Sequence, residues 1–124
     1  MGKFLIKGII MAADENAHMK KVFRDNLIKK YKSFLDDKLY LEFGVMHGNS
    51  LIDFYDSYNK ENINGHFFGF DAFKGLPEEN IDKNSPWKTG QFSIGGKIPA
   101  RLRLHPNINI IDGWFSDTLN ESVL

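Results

Sequence analysis

Leu39-Tyr40-Leu41-Glu42-Phe43-Gly44-Val45-Met46-His47-Gly48-Asn49-Ser50 decides the fold. An apolar run closes on an acid, a glycine turn follows, and an amphipathic segment begins. In an α/β sheet that order brings bare backbone close to a ligand at the carboxyl end of a strand. It points to small-molecule binding.

Downstream of the turn, Ser50-Leu51-Ile52-Asp53 resembles a capping box that starts a helix, with Leu51, Phe54, Tyr55 and Tyr58 as its inner stripe. Asn64-Gly65 then breaks the chain, and His66-Phe67-Phe68-Gly69-Phe70-Asp71 reads as a second strand, again closing on an acid. Ile108-Asn109-Ile110-Ile111, ending at Asp112, reads as a third, and Gly113 turns the chain into a helix start at Trp114-Phe115-Ser116-Asp117-Thr118-Leu119. Between them, Lys74 to Pro106 is rich in Gly, Pro, Asn and Lys, with a short helix expected near Pro77-Glu78-Glu79. A loop of that length inside a small domain is usually functional or mobile.

Upstream, Met19, Val22, Phe23, Leu27, Tyr31, Phe34 and Leu35 recur at three- and four-residue steps among lysines and an arginine. This predicts an amphipathic helix whose lysines face water. Met1 to Met11 is apolar, but Lys7 and Gly8 interrupt it, it is too short to span a bilayer, and no small-residue cleavage site follows. Ile6 stands where a myristoylation motif wants Ser or Thr, so the segment reads as packing.

Strands alternating with helices predict an α/β domain with a Rossmann-like parallel sheet, its crossovers right-handed and helices flanking it. The 124 residues suit one domain, with 1–37 as an N-terminal helical segment and 38–124 as the sheet-bearing part. The sequence stops just after an element that ordinarily leads into another strand. The sheet therefore reads as truncated after its third strand, with one flank of the Lys38–Val45 strand left unpaired and open to self-association.

Sixteen basic residues balance sixteen acidic ones, so no net field attracts nucleic acid or an anionic membrane. Neither is expected as a partner. Zero cysteines exclude disulfides and thiolate metal sites and agree with a cytoplasmic location, and His18, His66 and His105 show no metal-ligand spacing with one another.

Met46 sits where the dinucleotide fingerprint G-x-G-x-x-G needs its second glycine, and the turn also lacks the Lys and Ser/Thr of a phosphate-gripping loop. What remains suits a ligand without a pyrophosphate. Glu42 can receive an ammonium group, and free amides at the start of the next helix can receive a carboxylate. Asp71 can accept ribose hydroxyls, as the corresponding acid does in dinucleotide folds. S-adenosylmethionine carries an amino-acid end and a ribose.

Simpler readings stand beside these. Glu42 can be a strand-end carboxylate paired with a lysine, Asp71 a turn former, and Trp114 and Phe115 core residues. His47 reads as a solvated loop histidine, and Trp87 with Lys88 as either a lid or part of a disordered loop.

Four blocks together carry a resemblance: Leu41-Glu42-Phe43-Gly44-Val45 with Gly48 and Ser50; Gly69-Phe70-Asp71-Ala72-Phe73-Lys74-Gly75-Leu76-Pro77-Glu78; Gly90-Gln91-Phe92; and Gly113 through Leu119. In this order they resemble the macrocin O-methyltransferase family of class I S-adenosylmethionine-dependent methyltransferases. Ala72 departs from the family, where many members have serine. The resemblance implies that Glu42, Gly44, Gly48 and Ser50 line the methionine end, that Asp71 holds the ribose, and that Gly113 and Trp114 lie near the adenine. It also implies O-methyl transfer to a small molecule or sugar. The family's next block, a Tyr-Ser-Ser-like strand end that supplies divalent-metal ligands, has no counterpart here, and no catalytic base is identifiable. The resemblance covers the cofactor half, so the chain alone is expected to bind S-adenosylmethionine weakly or not at all and not to turn over. The alternatives are a non-catalytic truncated relative that serves as a binding or assembly module, and a domain for another nucleoside.

Overall fold

The computed structural model describes residues 4–7, 17–78 and 84–120. The chain is α/β: a parallel sheet of four strands with flanking helices, a Rossmann-like arrangement. Its elements are β1 (Phe4–Lys7), α1 (Ala17–Lys30), α2 (Lys32–Leu35), β2 (Lys38–Phe43), α3 (Asn49–Lys60), β3 (Gly65–Asp71), α4 (Ala100–Arg103), β4 (Ile108–Asp112) and α5 (Phe115–Thr118). Spatial order follows chain order, β1-β2-β3-β4.

The strand at Phe4–Lys7 corrects two expectations. Residues 1–37 are not a helical segment alone, because β1 pairs in parallel with β2, Phe4 opposite Leu39 and Lys7 opposite Glu42. The flank of β2 expected to be open is the one that β1 covers, so the sheet does not end at three strands. Periodicity gave no warning of this: a four-residue strand is too short to show one, and a brief apolar run fits a buried helix end equally well.

One face of the sheet carries most of the core. Tyr40 of β2 is fully buried, its ring 4.9 Å from Phe67 and 5.1 Å from Phe54 of α3, while Tyr58 lies edge-on at 6.3 Å. Rings at these distances and tilts add attraction beyond area burial. Of the expected α3 stripe, Leu51 and Tyr58 are buried and Phe54 and Tyr55 partly so, packed against the same cluster. Gly65 and Gly69 keep this face tight, for a Cβ at Gly65 would lie 2.7 Å from the Phe67 and Tyr58 rings.

α1 departs most from expectation. It packs on α3 through buried Ile28, an Arg24–Asp53 ion pair at 3.7 Å and a hydrogen bond from Ser57 Oγ to Asp25 Oδ1 at 2.7 Å. The residues read as its apolar stripe do not form that contact: Met19, Val22, Phe23, Leu27, Tyr31 and Phe34 are all exposed, and of that set only Leu35 is buried. The short helix expected near Pro77-Glu78-Glu79 reaches past the described residues, and Glu121 to Leu124 lie outside them.

Candidate binding site at the glycine turn

β2 ends at Phe43, and the chain turns through Gly44, Met46 and Gly48 with φ of 85°, 53° and 85°. Glycine adopts these angles freely, whereas Met46 in the left-handed region costs about 1–2 kcal/mol. Asp71 offsets that cost. Its Oδ2 accepts the backbone N–H of Val45 at 2.8 Å and of Met46 at 2.7 Å, so the carboxylate at the end of β3 holds the turn that follows β2. Its Oδ1 accepts the N–H of Phe73 at 2.8 Å, fixing a second residue of positive φ, 57°. One side chain braces both turns at the sheet's carboxyl edge.

Gly48 is the N-cap of α3, and the helix begins at Asn49. Ser50 therefore lies inside the first turn, and the capping box expected there does not form. The left-handed glycine already redirects the chain into the helix without a side-chain cap. A Cβ on Gly48 would come within 2.6 Å of Leu102, which is 1% exposed on α4. Beside it, Arg101 Nη1 donates to Asn49 Oδ1. The long segment after β3 thus closes onto the glycine turn.

That segment is not structureless. Leu76 N–H donates to Gln91 O at 3.0 Å, Gly90 N–H to Leu76 O at 2.8 Å, and Gly96 N–H to Phe73 O at 2.7 Å. Gly75 is required where the two limbs meet: its φ is 79° and a Cβ would lie 2.3 Å from Gln91 O. Trp87 is exposed and contacts Phe92, ring centroids 5.6 Å apart.

Register places the strand-end acids. Tyr40 pairs with Phe67 and Glu42 with Gly69, so Glu42 and, two residues beyond Gly69, Asp71 share the face that packs on α3. Gly69 lies between them, its absent Cβ leaving room for Val45 and Leu51. Asp112 is the register partner of Asp71 on β4 and is exposed. Sequence reasoning placed Asp112 at a strand end without giving it a role, although it repeats the strand-closing acid of β2 and β3.

Glu42 sits below this edge, 3% exposed, and its Oε2 accepts the Tyr40 hydroxyl at 2.8 Å. Burial, and then the neighbouring Glu42 charge, push the Tyr40 pKa far up, so the phenol keeps the proton it donates. Gly113, with φ 147°, donates its N–H to Asp71 O at 3.0 Å and leads into half-buried Trp114, the N-cap of α5. Phe115 is edge-on to Phe43 at 5.9 Å; Phe43 alternates with Glu42, which puts that contact on the other face of the sheet. His47 is exposed.

Four of the seven expected site residues, Gly44, Gly48, Asp71 and Gly113, thus lie at one edge, where the Asp71 carboxylate holds the glycine turn and its carbonyl accepts from Gly113, with Glu42 beneath. A cleft of ≈ 410 Å³ lies at the opposite end, where Asn64 and Asn107 precede β3 and β4. No strand-end acid lines it. Nucleotide-type crevices form where strand order reverses, and the order here does not reverse. The turn and its acids lie at an edge that has no such reversal. Comparison with known protein families, with curated proteins and with solved structures finds no match.

Proposed function

We propose that this chain is the cofactor-binding half of an S-adenosylmethionine-dependent O-methyltransferase acting on a small molecule or sugar. The observation that carries the reading is the bracing of the glycine turn by Asp71, with Glu42 on the same sheet face one strand away. The residues suit the cofactor in a modified form. A carboxylate offers about four lone-pair positions. Three of Asp71's accept backbone amides, which leaves one for a ribose hydroxyl. Asp112, its exposed register partner, supplies the acceptor for the second. Glu42, buried beneath the turn, supplies a carboxylate group toward an ammonium group above it. Gly44 and Gly48 let the turn take its left-handed angles, and Gly48 makes room for Leu102 behind it.

The cofactor supplies an electrophilic methyl on sulfonium; the described residues would hold its amino-acid and ribose ends and so orient it. No described residue is assigned as base for the acceptor hydroxyl.

A second reading, a non-catalytic binding module, is favoured by one observation: β1 fills the flank of β2 and leaves strand order unreversed. Calorimetric titration with S-adenosylhomocysteine separates the two. Saturable binding that weakens at least about tenfold in Asp112→Ala, the loss of about one hydrogen bond to a charged group, supports the methyltransferase reading. Saturable binding that Asp112→Ala leaves unchanged supports the module.

A further inference from the structure

α1 and α2 turn their most apolar side to solvent. Met19, Phe23, Leu27, Tyr31 and Phe34 follow one another at steps of four, four, four and three residues, and at about 100° per residue they fall within a sector of about 120°. Met19 is 70% and Phe23 69% exposed. Ile28 and Leu35, just beyond the edge of this sector, are the buried ones. An exposed face of this kind, apolar but interrupted by Lys20 and Lys30, marks an interaction surface.

Charge selects what covers it. Between residues 17 and 35 stand Lys20, Lys21, Arg24, Lys29, Lys30 and Lys32 against the single acid Asp25, although the chain as a whole is neutral. Lys21 and Arg24 pair with Asp25 and Asp53, and Asp36 and Asp37 follow the helix, so the basic character rests on Lys20, Lys29, Lys30 and Lys32. A second copy laid helix to helix would bring like charges together, so it is disfavoured. Lys20 and Lys30 fall inside the apolar sector itself, whereas lysine is depleted from the centres of protein interfaces. At a lipid surface the same placement is favourable: the aliphatic stems lie along the apolar strip and the ammonium groups reach up to the headgroups.

We propose that the Met19–Phe34 face seats on an anionic phospholipid surface, with Phe23 and Phe34 in the acyl boundary and Lys20, Lys29 and Lys30 on headgroup charge. It is a peripheral contact, since among the described residues no helix is long and apolar enough to cross a membrane. The proposal does not depend on the ligand at the glycine turn.

Co-sedimentation of the full chain with vesicles tests it. The chain should pellet with phosphatidylserine–phosphatidylcholine vesicles, release as salt is raised, and remain in solution with phosphatidylcholine alone. Lys20→Glu with Lys30→Glu should weaken binding by at least about tenfold, since each lysine near an anionic surface contributes roughly fivefold. Phe23→Ser, at an exposed position, should abolish pelleting while leaving the circular dichroism spectrum unchanged. Failure to pellet with anionic vesicles overturns the proposal, as does equal pelleting by these variants. A concentration-dependent dimer lost in Phe23→Ser, or capture by polyglutamate without capture by vesicles, would overturn it in favour of a second copy or an acidic protein.

Discussion

Asp71 was legible as a strand-closing acid, but not as the brace between two turns. Its partners Val45 and Met46 lie 26 and 25 residues away in sequence, and the bonds exist only because β2 and β3 pair in the observed register. Asp71→Ala would orphan the Val45, Met46 and Phe73 amides and release the left-handed turn; we expect about 2–4 kcal/mol lost in urea unfolding, with Asp71→Asn about half of that. Gly69→Ala would set a Cβ 2.7 Å from Val45 Cγ2 and 2.8 Å from Leu51 Cδ2, and overpacking of this kind is expected to cost about 1–3 kcal/mol in the same measurement. Ser57 gives a pH-dependent case. Its hydroxyl, ahead of the charge on Lys21, holds the Asp25 pKa below the ordinary 3.8. A lowered carboxyl pKa stabilises the fold fully above the unfolded value, and that stabilisation fades as pH falls through the folded one. Ser57→Ala should therefore cost about 1 kcal/mol at neutral pH, and the difference from wild type should shrink below pH 3.8 in acid titrations of stability.

At the scale of elements, α3 was readable because its apolar residues repeat at the helical period, and β2, β3 and β4 because short apolar runs stand between turn residues and close on an acid. Leu51 and Tyr58 point inward as their spacing requires. α1 shows the limit of that argument: period reveals that a helix has an apolar side, not which way the fold turns it. Asp25 and Arg24, bound to Ser57 and Asp53 of α3, hold α1 by its polar side and turn the stripe outward. β1 was legible only as an apolar run. Its docking has a sharp signature in hydrogen exchange, because alternate amides of a parallel strand point to opposite neighbours. With β1 paired, every amide from Leu39 to Phe43 should exchange slowly; fast exchange at every second residue of β2 would show that flank to be free.

Across the whole molecule, the sequence yields an α/β parallel sheet with its acids at the carboxyl edge, and the structure agrees on both. It does not yield strand order, since adjacency depends on which flank each crossover returns to and no local pattern encodes that. Self-association through the open side of β2 loses its basis, because β1 occupies it; the outer strands are β1 of four residues and β4 of five, and short edges are poor templates for pairing. The agreement of spatial with chain order has a consequence for how the protein is made. Each strand leaving the ribosome finds its only earlier neighbour already synthesised, and no gap has to be held open for a later one. The sheet can grow from one side as translation proceeds, with Asp71 clasping the turn after β2 as soon as the third strand is laid down.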